Sequence, residues 1–146
     1  ILVGEPDLDN PASVPKTTLK AWQEDNVVEW WGHSDAMAKI FQMAHVVCLP
    51  SYREGLPKVL IEAAACGKPI VTTDVPGCRE VVRDGDNGLL VPVRDSKALA
   101  SALLRLIENS ELRTEMGKRS REIALAEFSS EHIIAQTLDI YKELVE

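Results

Sequence analysis

Three short runs, "HVVCLP" (45–50), "KPIVTTD" (68–74) and "LLVPV" (89–93), lack the apolar–polar alternation of a strand with one wet face. Strands buried on both faces belong to parallel sheets covered by helices. Each parallel neighbour must then be reached through a crossover of a dozen or so residues, usually helical. The intervening segments suit that role. Pro57 fits the first position of a helix that runs to Cys66, and Gly67 fits the position just past its end. "GCREVVRD" (77–84) reads as a short helix, followed by the turn "GDNG" (85–88). Two earlier runs, "ILVG" (1–4) and "NVVEWWG" (26–32), read as further strands.

The remaining segments read as helices. One spans about Pro15 to Gln23, and "EPDLDNPASVP" (5–15) before it is a loop. Ser34 caps another whose apolar face is Met37, Ile40, Phe41 and Ala44. Asp95 or Ser96 caps "DSKALASALLRLIEN", and Ser110 and Ser129 or Ser130 open two more. The pattern predicts an α/β fold, a Rossmann-like parallel sheet with helices on both faces.

Composition narrows the function. The 146 residues suit about one domain and carry a net charge of −7 without a Lys/Arg cluster, which excludes a nucleic-acid face. The three cysteines, Cys48, Cys66 and Cys78, form no C-x-x-C pair; Cys48 and Cys66 lie in apolar runs. They read as buried free thiols in a reducing, cytoplasmic setting. No apolar run is long enough to span a bilayer. The chain opens on a strand already under way, so residues 1–146 are expected to be a single, N-terminally truncated domain.

"EGLPKVLIEAAACG" (54–67) holds the sharpest signal. From Val59 to Cys66 every residue is apolar or small except Glu62. A carboxylate enclosed there would cost several kcal/mol of desolvation unless paired or facing a polar cleft. Lys58, four residues earlier, offers an ion pair; a ligand crevice with hydroxyls to bind is the other solution. The helix starts directly after a strand, and in open parallel sheets ligands bind at the carboxyl ends of strands. Its N-terminal N–H groups suit phosphate. Gly55 lets a ligand approach the backbone, and Glu54 stands at the mouth. Two hydroxyl acceptors flanking an anion site match a nucleoside diphosphate sugar.

Glu54, seven residues, then Glu62 resembles the E-x7-E signature of the group 1 retaining glycosyltransferases, which have the GT-B fold. "ILVGEP" is similar to a strand of their C-terminal domain, and "VVEWWGH" to the strand and Gly before their base-binding loop. The segment from "AHVVCLP" to "LLVPVRD" resembles the family core, and "FSSEHIIAQTLDIYKEL" its C-terminal crossover helix. The resemblance covers nearly the whole chain and is closest to bacterial enzymes of surface-polysaccharide synthesis. It implies a partial C-terminal, donor-binding domain. Glu54 would be the catalytic position, holding hydroxyls of the transferred sugar nearest the reacting carbon. Gly55 and Leu56 would face sugar and phosphate, Lys58 would add a point charge, and Glu62 would hold the ribose hydroxyls. Trp31, Gly32 and His33 would lie near the nucleobase. The resemblance implies retention at the anomeric carbon, no metal and no cofactor, the donor substrate being a UDP- or GDP-sugar. The acceptor, a saccharide or lipid-linked saccharide, would be held by a missing N-terminal domain, which could also bring the parent to the inner membrane. Many members have Phe-Gly where this chain has Leu56-Pro57, and Pro57 removes one N–H donor.

Other signals weigh less. Asp7-x-Asp9 and Asp84-x-Asp86 match a metal-holding D-x-D, but both lie in turn-forming stretches. His33, His45 and His132 are far apart in sequence, and no Ser-His-Asp spacing surrounds Ser51. Two rival readings remain: a non-catalytic nucleotide-sugar-binding module, or another GT-B enzyme such as a sugar-nucleotide 2-epimerase.

Overall fold

The computed structural model describes residues 1–7, 9–10 and 13–145, so the loop read over 5–15 lies partly outside the described residues. The chain divides into two compact units, Ile1–Met37 and Ala38–Glu146.

In the first unit, helix α1 (Lys16–Glu24) buries Leu19. The two runs expected to be strands meet at a single parallel bridge, Leu2 to Trp30. Leu2 N–H donates to Glu29 O at 2.8 Å and Trp31 N–H to Leu2 O at 2.9 Å. Beyond it Gly4 N–H donates to Gly32 O at 2.7 Å, one residue past the Trp31 O of a regular ladder. Gln23 Oε1 accepts from the Trp30 N–H, and the Trp30 indole N–H donates to Gly4 O at 2.8 Å. Ile1 and Val27 are exposed, and neither run extends into the strand read from the sequence.

Helix α2 (Met37–Met43) buries Phe41, and Ser34 Oγ accepts from Ala36 N–H ahead of it. The second unit then alternates strand and helix: β1 (Val47–Leu49), α3 (Lys58–Ala65), β2 (Ile70–Thr73), α4 (Pro76–Val81) and β3 (Gly88–Val91). Helices α5 (Ser96–Glu108), α6 (Ser110–Glu127) and α7 (Ser130–Val145) follow. The three strands are parallel in the order β1-β2-β3, with Val47 opposite Ile70 and Val71 opposite Leu89. Every residue of β2 is buried, the two threonines included, as its lack of apolar–polar alternation predicts.

Adjacent residues of β2 serve opposite faces. Val71 packs with Leu89, Val91, Leu106 and Met116, which brings α5 and α6 to one face. Thr72 instead meets Cys78 of α4, its hydroxyl 3.1 Å from the sulfur. Helices therefore cover both faces, as read from the sequence. Helix α5 lies on β2 and β3 rather than β1. Cys48, on β1, is consequently exposed, and Cys66 is half-buried; of the three thiols expected to be buried, only Cys78 is.

Helix termini follow side-chain chemistry. Asp95 Oδ1 accepts from Ala98 N–H at 2.9 Å, and Asn109 rather than Ser110 caps α6 by accepting from Leu112 N–H. Ser129 Oγ accepts from His132 N–H at the start of α7. The 83–88 turn is built around buried Asn87, whose side chain accepts from Arg83 N–H and donates to Val81 O. Among the described residues no helix is long and apolar enough to cross a membrane.

Helix α6 rests closely on the far end of α3. A Cβ on Gly117 would intrude on Gly67 O and lie 3.3 Å from Gly67 C. Gly117→Ala must push the two helices apart, so it should lower stability by about 1–3 kcal/mol. Urea unfolding checks this; unchanged stability would show that α6 can give way at no cost.

Candidate functional site

The site builds from the exit of β1. Pro50 ends the strand, and the chain runs from Ser51 to a buried Pro57 before entering α3. The start of this loop is tied down twice. Thr72 Oγ1 donates to Leu49 O at 2.7 Å, and Thr73 Oγ1 donates to Ser51 O. The loop's middle rests on α4: a Cβ on Gly77 would overlap Gly55 O and come within 2.6 Å of Glu54 O and Gly55 C.

Helix α3 is less uniformly apolar than its composition suggested. Leu60, Ala63 and Ala64 are buried at helical spacing, and Lys58 and Glu62 share the opposite side. Lys58 Nζ stands 3.4 Å from Glu62 Oε1, so the ion pair read from the spacing forms. The side chains are 87% and 39% exposed, and such a pair contributes only about 0.3–0.5 kcal/mol. Glu62 is thus neither enclosed nor strongly held, and its carboxylate stays open to a ligand. The helix's far end is fixed by a Schellman closure. Gly67 has φ +67, its N–H donates to Ala64 O at 2.8 Å, and Lys68 N–H donates to Ala63 O at 3.1 Å. Arg121 of α6 also donates to Ala65 O.

At the near end no side chain caps α3. The Leu60 and Ile61 N–H groups reach back to Pro57 O, leaving the start of the helix facing outward for an anion. Gly55, Leu56 and Lys58 are exposed there, and Glu54 is half-buried. Burial pushes the Cys78 thiol up; its hydrogen bond with Thr72 opposes that rise, and the nearby Glu54 carboxylate adds to it. Glu54 therefore lies over α4. At the end of β2, the Arg79 guanidinium holds the Asp74 carboxyl below its usual range.

The structure brings Glu54, Gly55, Leu56, Lys58 and Glu62 onto one loop and helix. Trp31, Gly32 and His33 belong to the first unit. Trp31 is exposed and its indole N–H donates to Glu29 Oε2 at 3.0 Å; Gly32 has φ +66 and accepts from Gly4 N–H; His33 Nε2 lies 3.1 Å from Asp35 Oδ1. A cleft of about 560 Å³ in that unit takes in Trp31 without Gly32 or His33. A second cleft, about 300 Å³, lies at the carboxyl ends of the three strands of the second unit and is lined by Tyr52, Thr73 and Arg94.

The D-x-D stretches are otherwise engaged. Asp7 Oδ1 accepts from Asp9 N–H, Asp84 Oδ1 accepts from Leu90 N–H, and Asp86 pairs with Arg119 at 3.1 Å. Among the described residues no group of three or more His, Cys, Asp or Glu could hold a metal ion. Sequence reasoning missed Thr72, Thr73 and Gly77, which seat the loop. The signal for Gly77 is a glycine inside a helical segment, a mark of close backbone approach.

Comparison with known proteins gives one family. The Glycosyl transferases group 1 family matches residues 2–123. N-acetyl-alpha-D-glucosaminyl L-malate synthase of Bacillus anthracis is 37% identical over 84% of this chain and 32% of its own length. A Campylobacter jejuni enzyme, N,N'-diacetylbacillosaminyl-diphospho-undecaprenol alpha-1,3-N-acetylgalactosaminyltransferase, is 32% identical over 99% of this chain and 37% of its own. The chain thus spans about a third of the length of these relatives. Anabaena HepE, solved in complex with UDP, superposes with a TM-score of 0.88 at 25% identity, over 97% of this chain and 40% of HepE. HepE has also been solved with UDP-glucose.

The proximity of Glu54 to Cys78 can be checked directly. The Cys78 Cβ resonance of labelled protein should titrate above the ordinary thiol range, and Glu54→Gln should move its midpoint down by removing the negative charge. An unmoved midpoint would place Glu54 away from α4. Because folding raises this thiol's pKa, its contribution to stability is whole below the ordinary thiol range and is lost as the pH climbs from that range through the raised folded-state value.

Proposed function

The chain belongs to the Glycosyl transferases group 1 family, and from that premise we propose that it is the donor-binding part of a retaining glycosyltransferase of bacterial polysaccharide synthesis. The observation that carries this reading is the uncapped start of α3, with Glu54 ahead of it and Glu62 on its open side. A nucleoside diphosphate sugar suits that spacing chemically. The diphosphate meets the helix N-terminus and the backbone of Gly55 and Leu56, where oriented N–H groups take up charge that grows as the diphosphate leaves. Pro57 supplies no N–H, and Lys58 contributes its charge nearby. Glu62 accepts from the ribose hydroxyls. Glu54 accepts from hydroxyls of the sugar beside the reacting carbon.

In this mechanism the residues of the chain hold and orient the donor, and transfer proceeds with retention and without a metal. The donor class is supported by HepE, solved with UDP and with UDP-glucose, and the acceptor class by the name of the Campylobacter relative, which describes transfer to a diphospho-undecaprenol saccharide. A saccharide or lipid-linked saccharide acceptor would be bound by the remainder of the full-length protein.

The two carboxylates should fail differently in the full-length protein. A hydrogen bond to a charged group contributes about 1.5–3 kcal/mol, so Glu62→Gln should weaken UDP binding about ten- to hundredfold in calorimetry. Glu54→Gln should leave UDP affinity within about threefold while lowering turnover about a hundredfold, since its contact matters most in the transition state. Unchanged UDP binding in Glu62→Gln would reduce that residue to the partner of Lys58.

Transfer should also survive exhaustive EDTA treatment, the charge being met by N–H groups. Activity lost to EDTA and restored by manganese would return the D-x-D stretches to consideration.

A further inference from the structure

Helix α4 carries a glycine, Gly77, as its second residue, directly after Pro76. Gly77 is buried, and a Cβ there would overlap Gly55 O and stand 2.6 Å from Glu54 O and Gly55 C. Those atoms are backbone, so no side-chain rotation relieves the overlap. The loop cannot slide along the sheet either, because Thr72 and Thr73 hold Leu49 O and Ser51 O, and Pro57 is buried at the other end. The only yielding direction is outward, off α4, and Glu54 would travel with it.

We propose that Gly77 is a positioning residue, whose missing side chain sets the depth at which the Glu54–Gly55 backbone lies and so places the Glu54 carboxylate for the donor sugar. This rests on the role proposed above for Glu54. The Thr72 hydroxyl, 3.1 Å from Cys78 next along α4, ties the same helix to β2, so the sheet, α4 and the loop register as one assembly. Glu62 is carried by α3, which also touches α4, β1 and β2, but its end of the donor site is held by separate bonds, from Gly67 and Arg121 at the far end of the helix. Displacing the loop should therefore disturb the sugar end of the donor and spare the ribose end.

The test is kinetic, on the full-length protein. A misplacement of about 1 Å costs about a hundredfold in rate, so Gly77→Ala should lower kcat by that order with UDP affinity within about threefold. In a Glu54→Gln background the same substitution should cost little more, because both changes remove one placement. Gly117→Ala, an overlap of the same kind made elsewhere, should lower stability with kcat within about threefold. Should Gly77→Ala fail to fold, Thr73→Val releases the loop at Ser51 without adding volume and should show the same split in smaller measure. Full turnover in Gly77→Ala or, where that variant does not fold, in Thr73→Val would overturn the inference alone, provided Glu54→Gln is impaired. So would a Gly77→Ala loss that adds fully to that of Glu54→Gln. Full turnover in Glu54→Gln would overturn the proposed role of Glu54, and the inference with it.

Discussion

The structure depends on one strand. Residues Ile70 to Thr73 of β2 are wholly buried and paired on both sides by parallel neighbours. Parallel pairing forces each connection to travel the length of the sheet, and α3 and α4 are those connections. Every strand therefore empties its loop at the same edge. The Glu54 loop and the start of α4 meet there because no parallel arrangement of these strands keeps them apart. The two Thr side chains of β2 add direct tethers to the exit of β1.

Electrostatics at that edge are graded rather than strong. The Lys58–Glu62 pair is mostly in water, and Asp74 with Arg79 is likewise exposed. The buried polar groups are satisfied locally: Asn87 by the backbone of its own turn, and Ser120 by Asn87 O at 3.0 Å. The outward-facing start of α3 is therefore the feature that discriminates in favour of an anion, since the chain as a whole carries a net charge of −7. A diphosphate that binds here does so through oriented backbone dipoles against an unfavourable overall charge.

The second unit was largely legible in the sequence. Runs without apolar–polar alternation marked β1, β2 and β3, and Pro57 and Gly67 bracketed α3 because one lacks an N–H and the other tolerates positive φ. Where reading failed, side chains competed with backbone. The Trp30 indole took Gly4 O and the Gly4 N–H slipped to Gly32 O, so the Leu2–Trp30 bridge did not extend into strands, and an amino-acid pattern does not report such long-range bonds. Cys48 looked buried because its run is apolar, yet the helix that covers β2 and β3 leaves it exposed. Glu62 stood out as a carboxylate in an apolar stretch, and Glu54 by its place ahead of the same helix. Gly77 did not, because the reason for it is the backbone of a loop more than twenty residues earlier.

The central claim is that a nucleoside diphosphate sits at the start of α3 with its ribose on Glu62. A crystal structure of the full-length protein with a bound UDP-sugar tests it most directly. The account predicts phosphate oxygens within hydrogen-bond distance of the N–H groups between Gly55 and Val59, and ribose hydroxyls on the Glu62 carboxylate. A diphosphate seated instead in the cleft of Tyr52 and Arg94, with Glu62 still facing Lys58, would contradict it.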